Sequence, residues 1–491
     1  MLTPPLRVLF RSQWPTHSRS CFSRLLLVAA LLILTDSLPA WGRNAEPRKR
    51  PNIVFILADD LGLGHVGAFG QTLIRTPAMD RIAAEGMRFE RCYAGANVCA
   101  PSRSTLMTGL HTGHTAVRAN GGGRHLSDAD VTVAEVLKQA GYATGGFGKW
   151  GLGLETNSGF PLRQGFDEWF GQYNQMHAHF FYPYYLWHGN KRHLLSGNEQ
   201  GGRRQYAHDE IHAQGLDFIR RHQHEPFFCY LPYILPHVEL TVPADSRREY
   251  EGKFPKKAIA DPRPGYLGSD DAYAEFAGMV GRLDRSVGEV LALLKELKLD
   301  EQTIVFFCSD NGPQPGVWTE VFVDYFDGNG PYRGAKGDFY EGGIRTPLMV
   351  RWPKQIAAGS QTKHLCAFYD VLPTLAELAG ATIPAGLDGL SFAPTLLGRG
   401  SQQLHEFLYW EHPFTKGDTH AVRLGKWKAV QGKPGGKLEL YDLEADPAET
   451  TDLANQQPEV MARIEAIIAR EHTPERKFTG GESYQVKDFV R

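Results

Sequence analysis

One cysteine of the chain stands in a setting that suits covalent chemistry. Cys99 begins the run Cys-Ala-Pro-Ser-Arg-Ser-Thr-Leu-Met-Thr-Gly, which ends at residue 109. Pro is favoured at a first helical position and Gly just past a helix end, so the run predicts a helix over 104–108 with Cys99 at its N-terminus. Free N–H groups favour an anion there, and Arg103 lies one turn on, on the same face. The arrangement suits attack on a charged ester, although a lone cysteine before a helix is more often a buried thiol.

Further polar side chains follow the predicted strands. Each comes at or shortly after the end of an apolar run: Asp59, Asp60, Lys149, His237, Asp310 and Asn311. Because ligands bind beyond the carboxyl ends of strands in open α/β sheets, we expect these groups to meet at one edge. The three carboxylates and the amide are hard oxygen ligands that suit Ca²⁺ or Mg²⁺. Taken singly, an Asp pair after a strand is more often a turn or a cap, and a lysine is more often a solvated surface residue.

The cysteine motif resembles the signature of the type I sulfatases, Cys-x-Pro-Ser-Arg followed by Ser-Thr-Leu-Met-Thr-Gly. The resemblance covers nearly the whole mature chain, including Gly-Gly-Ile-Arg-Thr-Pro at 342–347. It implies that a dedicated maturation enzyme oxidises Cys99 to formylglycine, whose hydrated aldehyde is the nucleophile. A serine would form a stable sulfate ester, whereas a hemiacetal sulfate can expel sulfate when its second hydroxyl loses a proton.

The same resemblance implies a role for each residue at the predicted edge. It implies a Ca²⁺ ion with five ligands: Asp59, Asp60, Asp310, Asn311 and the formylglycine at position 99. Lys149 and Lys336 match the two lysines that hold the sulfate, and Arg103 helps to neutralise its charge. His237 matches the histidine that contacts the bridging oxygen and assists the leaving group, a task that suits a pKa near working pH.

The chain departs from the family pattern at Gly151. Many relatives carry a histidine two residues after the first lysine, in Gly-Lys-Trp-His, whereas this chain reads Gly-Lys-Trp-Gly. The aromatic-rich stretch 169–187 fits no period and predicts a loop, and its His177 and His179 are the candidates to replace the missing group. We expect only one of them to reach the formylglycine. The alternative is that both line a substrate subsite or are packed.

Strands and helices alternate along most of the chain. Continuous apolar runs at 53–57, 227–231 and 304–308 are typical of strands buried on both faces of a sheet. Apolar residues from 276 to 297 recur at spacings of four and three, which predicts a long amphipathic helix. We therefore expect a three-layer α/β/α sandwich, which the resemblance makes alkaline-phosphatase-like. Short polar strands and a helix after about residue 400 predict a smaller C-terminal antiparallel-sheet subdomain, so the catalytic domain is assigned to 43–400 and the subdomain to 401–491.

The N-terminus predicts export. Arginines precede an apolar run at 25–34 and small residues follow it, which is typical of a secretory signal peptide, here over 1–42. The run is short for a membrane span, so we expect a secreted or periplasmic protein without stable membrane insertion, an uncleaved anchor being the alternative. The net charge of −2 over 491 residues argues against a broad basic face for nucleic acid. The six cysteines follow no disulfide framework, and Cys229 and Cys308 lie in apolar runs that predict buried thiols.

The substrate class follows from the resemblance only in outline, because sulfatases of this architecture act on aryl, steroid, lipid and polysaccharide esters. The aromatic stretch offers rings for sugar stacking, so a sulfated carbohydrate is the first expectation and an aryl sulfate the second. The rival enzyme is a phosphate or phosphonate monoester hydrolase of the same fold. The rival of another class is a non-catalytic carbohydrate-binding relative.

Overall fold

The computed structural model of the protein describes residues 50–415, 417–478 and 485–490. The predicted signal peptide and its boundary at residue 42 lie outside these ranges. Among the described residues, no helix combines the length and the apolar character needed to cross a bilayer.

The described strands form a ten-stranded mixed sheet and a four-stranded antiparallel sheet. Their bounds are β1 Asn52–Ala58, β2 Met87–Tyr93, β3 Ala143–Lys149, β4 Glu168–Gln172, β5 Tyr185–His188, β6 Lys191–Leu194, β7 Phe227–Pro232, β8 Thr303–Ser309, β9 Leu348–Arg351, β10 Ser360–Ala367, β11 Leu408–His412, β12 Thr419–Leu424, β13 Trp427–Gln431 and β14 Leu438–Asp442. The large sheet has the order β10-β2-β9-β8-β1-β7-β3-β4-β5-β6, and its centre, from β8 to β4, is parallel.

Helices lie on both faces of the large sheet. Their bounds are α1 Pro77–Ala84, α2 Cys99–Thr108, α3 Val133–Gln139, α4 Ala207–Arg221, α5 Ala244–Arg247, α6 Ala272–Glu296, α7 Glu341–Ile344, α8 Val371–Ala379, α9 Ala393–Leu397 and α10 Pro458–Glu471. The predicted long amphipathic helix is α6, and it begins and ends within four residues of the predicted bounds.

The central strand explains why the apolar run at its position is continuous. Val54 and Ile56 of β1 pack into one core, together with residues of α1, α4 and α6. Phe55 and Leu57 point the other way, into a core shared with α2, α3 and α8. A strand covered on both faces has no polar side. The predicted three-layer α/β/α sandwich is therefore confirmed.

The aromatic stretch 169–187 is not a loop throughout, so that prediction was wrong. It contains most of β4, a short turn at His177–His179, and most of β5. Trp169 and Phe170 are buried in cores on opposite faces of the sheet. Large rings on both faces leave no period-2 alternation, which is why the pattern failed. Most of these rings are core residues, so the stretch offers no row of exposed faces for sugar stacking.

The small sheet, β11 to β14, is antiparallel and packs against α10, as predicted for the C-terminal region. It is joined to the larger part by a buried ion cluster. The Nζ of Lys428, on β13, lies 2.8 Å from Oε1 of Glu341 and 2.9 Å from Oε1 of Glu449, and all three side chains are buried. The division of the chain at residue 400 stays a prediction. Cys229 and Cys308 are buried free thiols, as predicted.

Candidate active site

Two adjacent parallel strands bring the four predicted oxygen ligands together. In the register of β1 and β8, Ala58 pairs with Ser309, so the segments that follow leave the sheet at the same level. The N–H of Asp310 donates to the carbonyl of Ala58 (3.1 Å), and the N–H of Asp59 donates to the carbonyl of Leu235 beyond β7 (3.1 Å). The predicted meeting of these groups at one sheet edge is therefore observed, as expected for a parallel sheet.

Asp60 turns the chain sharply at this edge. Its φ is +62°, in the left-handed region that Asp tolerates better than most residues. Its N–H donates to Oδ1 of Asp310 (3.2 Å), and its own Oδ1 accepts from Nδ2 of Asn311 (2.7 Å). Its Oδ2 lies 2.8 Å from Nζ of Lys336. The turn thus aims the Asp60 carboxylate back across the strand end, between the other ligands.

Cys99 faces these carboxylates. It is the first residue of α2, which begins five residues before the predicted start, and its buried Sγ lies 3.4 Å from Oδ1 of Asp59 and 3.9 Å from Oδ1 of Asp60. Burial and the charge of Asp59 raise the pKa of the Cys99 thiol, and Lys149 and Lys336 only partly oppose this. The anion expected at the helix N-terminus is thus disfavoured, and an unmodified Cys99 is a poor nucleophile.

Buried cationic side chains form ion pairs with these carboxylates. Nζ of Lys149 lies 2.7 Å from Oδ2 of Asp59, with both side chains fully buried. The guanidinium of Arg103 donates to Oδ2 of Asp310 through Nε (3.1 Å) and Nη2 (2.9 Å), and through Nη1 to the carbonyl of Lys149 (2.8 Å). Burial would raise the pKa of Asp59, but Lys149 and the neighbouring cations hold it well below its usual value. Asp59 is therefore charged at neutral pH.

His237 approaches the same carboxylates from the segment after β7. Its Nδ1–H donates to the carbonyl of Val238, which leaves the lone pair on Nε2. That Nε2 accepts from Nζ of Lys336 (3.2 Å) and lies 3.4 Å from Oδ2 of Asp60. Burial and the charge of Lys336 lower the pKa of His237 well below its usual value. The ring is neutral, and its Nε2 is aimed at the cluster.

The two histidines of the aromatic stretch lie in different surroundings. The ring of His179 stacks on that of His237, with 4.6 Å between centroids, and its Nδ1 lies 2.7 Å from the hydroxyl of Tyr266. His177 instead donates from Nε2 to the carbonyl of Tyr185 (3.0 Å), and its ring stacks on Phe489 at 4.7 Å. The structure therefore brings His179 to the site, while His177 packs against the returning C-terminal segment. The catalytic roles of both stay predictions.

Sequence reasoning missed Tyr266, which follows a Pro- and Gly-containing stretch without periodicity. Its hydroxyl holds His179, and the guanidinium of Arg263 lies 3.8 Å from the centre of its ring. No local pattern marked Tyr266, because its importance comes only from the residue that it touches.

The oxygen cluster fits a hard divalent cation. Oδ1 of Asn311 is buried and has no hydrogen-bond partner among the described residues, as an oxygen reserved for a metal would be. One ligand atom from each of Asp59, Asp60, Cys99 and His237 lies within 4.8 Å of the others. Burial and the charge of Asp59 raise the pKa of Asp310 to about 7, and burial also raises the pKa of Asp60. A cation would relieve this crowding of negative charge.

A second group of potential metal ligands lies after the end of α2. It consists of His111, His114 and Asp388. There the N–H of Gly113 donates to Nδ1 of His111 (3.1 Å), so the ring proton sits on Nε2, which faces Oε2 of Glu471 (3.3 Å). A protonated Nε2 cannot bind a metal. This group is a hydrogen-bond network that ties the chain after α2 to the end of α10.

Comparison with known proteins agrees with the motif. The Sulfatase family model matches residues 51–381, and a model described as N-sulphoglucosamine sulphohydrolase, C-terminal, matches residues 335–473. Arylsulfatase A of Bos taurus is 32% identical over 489 residues, which cover 88% of this chain and 88% of that protein. The N-acetylgalactosamine-6-O-sulfatase of Bacteroides thetaiotaomicron is 28% identical, covering 91% of this chain and 98% of that protein. The crystal structure of Ps i-CgsB in complex with k-i-k-neocarrahexaose aligns with a TM-score of 0.73 at 26% identity, over 87% of this chain and 94% of that chain.

Proposed function

The chain belongs to the sulfatase family and is a sulfatase with an alkaline-phosphatase-like α/β fold, and from this premise we propose that it removes sulfate from a sulfated carbohydrate. We further propose that Cys99 is converted to formylglycine and that Ca²⁺ binds beside it. The observation that carries the proposal is the buried cluster in which Cys99 lies 3.4 Å from Asp59, itself 2.7 Å from Lys149.

Calcium would be held by the side chains of Asp59, Asp60, Asp310 and Asn311. The donor set and the unpartnered oxygen of Asn311 support this assignment. When both groups are in place, formylglycine supplies a geminal diol as the nucleophile, and the cation supplies Lewis acidity toward a sulfate oxygen. The protein's own side chains do the remaining work.

Lys149 and Lys336 bind the sulfate in this proposal. Both ammonium groups are buried beside carboxylates, and for both, burial would lower the pKa but the nearby carboxylates raise it. They therefore stay protonated through the working range of the enzyme. Arg103 holds Asp310 by two N–H groups, which fixes a proposed metal ligand and adds positive charge where an anion binds.

His237 would pass a proton to the leaving group through Nε2, which is unprotonated at rest and has to take up that proton first. Its Nδ1–H is committed to the carbonyl of Val238, so Nε2 is the only ring atom that can exchange a proton with substrate. Nζ of Lys336, 3.2 Å away, is the adjacent proton donor. Departure of an alcohol from a sugar sulfate needs such a proton more than departure of an activated phenol does.

The carbohydrate part of the proposal rests on the relatives, because the aromatic stretch is buried. One relative is named an N-acetylgalactosamine-6-O-sulfatase and one neighbour was crystallised with k-i-k-neocarrahexaose. We further propose that the protein is secreted or periplasmic and that a formylglycine-generating enzyme matures it on the way.

The test is a substrate panel on protein co-expressed with a formylglycine-generating enzyme, with Cys99→Ala as the inactive control. We expect sulfate release, measured by ion chromatography, from sulfated galactosamine or galactan oligosaccharides and from an aryl sulfate. Intact-mass analysis of the peptide that contains residue 99 checks the conversion, and elemental analysis checks for calcium. Faster release of phosphate from an aryl phosphate would favour the rival esterase, and carbohydrate binding without hydrolysis would favour the non-catalytic alternative.

A further inference from the structure

The carboxamide of Gln175 occupies the space beside Gly151. Gly151 has a φ of +77°, and a Cβ built on it would lie 2.1 Å from Nε2 and 3.1 Å from Cδ of Gln175. Main-chain hydrogen bonds hold the segment after β3 against the segment at the end of β4. The N–H of Gly151 donates to the carbonyl of Tyr173 (3.0 Å), and the N–H of Trp150 donates to the carbonyl of Gln172 (2.9 Å). Any other residue at 151 would displace the amide, so glycine is required here for space as well as for its backbone conformation.

The amide of Gln175 is shielded from solvent but unsatisfied. Neither Nε2 nor Oε1 has a hydrogen-bond partner among the described residues. The same is true of Gln172, which is fully buried and pairs in register with Lys149 across β3 and β4. A buried amide without a partner is costly, so two of them within four residues need a physical reason. A polar ligand that binds beside these amides would give them hydrogen-bond partners and offset the cost.

The location of the amide indicates which ligand this is. Gly151 lies two residues after Lys149, and two residues of chain span at most about 7 Å. Lys149 contacts Asp59, which in turn contacts Cys99. The amide of Gln175, packed against Gly151, therefore lies close to the end of β3 from which Lys149 reaches Asp59.

We infer that Gln175 is a substrate-binding residue whose Nε2–H donates to a sulfuryl oxygen of the ester. Sulfate oxygens only accept hydrogen bonds, and a neutral donor adds a directed contact without further charge. The inference rests on the proposed sulfatase function and adds a residue to its site. It also gives the glycine at 151 a purpose, because only glycine leaves room for the amide.

The test compares Gln175→Met and Gln175→Glu, which keep the length of the side chain but remove the donor. Loss of a hydrogen bond to a charged group corresponds to about a ten- to hundredfold loss. We expect that fall in kcat/KM on an aryl sulfate for Gln175→Met, and a similar weakening of inorganic sulfate binding measured by calorimetry. Gln175→Glu should be worse than Gln175→Met, because its carboxylate repels an anion. The melting temperature of Gln175→Met should equal or exceed that of the wild type.

Gln164→Met is the matched control. Gln164 is also buried, but its Nε2 donates to the carbonyls of Ser127 (3.1 Å) and Ser158 (2.9 Å). This change should lower the melting temperature and leave kcat/KM unchanged. If the wild type is active and both Gln175 variants match it, the inference is wrong and the amide only fills space. If Gln175→Glu is as active as the wild type, the amide does not act as a donor. A wild type that neither hydrolyses sulfate esters nor binds sulfate would remove the proposed function itself, and this inference with it.

Discussion

Replacing His179 and His177 by alanine should separate a residue of the site from a residue of the core. Only one residue lies between them, yet His179 stacks on His237 at 4.6 Å while His177 stacks on Phe489 at 4.7 Å. We expect His179→Ala to lower turnover and His177→Ala to lower stability. The two effects can be measured on the same samples.

The expected loss of turnover in His179→Ala follows from the contact of the His179 ring with the ring of His237. Burial and the nearby His237 lower the pKa of His179 well below its usual value, so the ring is neutral and acts by position rather than as an acid. Without it, the ring of His237 loses the surface on which it is stacked. A displacement of about 1 Å at a catalytic group can cost about 10²-fold, and we expect kcat to fall by about that factor.

The expected loss for His177→Ala is thermodynamic. Burial lowers the pKa of His177 to about 3, so the ring packs as a neutral group with one hydrogen bond to the carbonyl of Tyr185. Removing a buried aromatic ring costs about 3–5 kcal/mol. For a folded unit of roughly 440 residues this lowers the melting temperature by about 3–5 °C. Turnover of the folded enzyme should change little.

The assay pairs steady-state kinetics on an aryl sulfate with calorimetric melting, and Tyr266→Phe is the matched control. This variant removes only the hydroxyl that lies 2.7 Å from Nδ1 of His179, so kcat should fall by about two- to tenfold. Near-normal turnover in His179→Ala would refute the reasoning, as would an equal fall in kcat for His177→Ala without a change in melting. A raised KM with unchanged kcat in both alanine variants would mean that the histidines bind substrate.

Three further changes test the site and the fold. Cys99→Ser should abolish multiple turnover, because a sulfated serine cannot eliminate sulfate through an aldehyde; sustained turnover in a progress curve would reject the formylglycine route. Asp310→Ala should lower both activity and bound calcium, and unchanged calcium by elemental analysis would show that the metal assignment is wrong. Lys428→Met removes the cation that Glu341 and Glu449 share and leaves only Glu341 with a second ion pair, to Arg345, so the free energy of unfolding at pH 7 should fall by about 3–5 kcal/mol in denaturant titrations. Burial would raise the pKa of Glu341, but Lys428 and its other partners lower it to about 2. A carboxylate whose pKa is lowered in the folded state stabilises the protein above its unfolded pKa, and this contribution is lost on acidification. The difference in unfolding free energy between wild type and variant should therefore shrink from about pH 4.5 towards pH 2. A difference that stays constant over that range would contradict the assignment.

The sequence determined the central strands and the chemistry at their ends. Apolar runs such as 304–308 are typical of strands covered on both faces, and they predict where Asp310 emerges. The same reasoning missed β2 and β10, whose sequences mix apolar and polar residues without a clear period and whose sheet positions depend on the strands beside them. It also predicted a loop where β4 and β5 run, because rings on both faces erase the alternation that marks a strand.

The tertiary structure alone decided which candidates meet. The spacing of His177 and His179 gave no reason to prefer either one, since the difference comes from His237 on one side and Phe489 on the other, both distant in sequence. The sequence also did not predict that the Gln175 amide lies beside Gly151. A glycine indicates that a side chain is absent, but not which neighbouring group occupies the space. Local pattern reports the faces and ends of single elements, whereas contact between side chains depends on how strands far apart in the chain are ordered in the sheet.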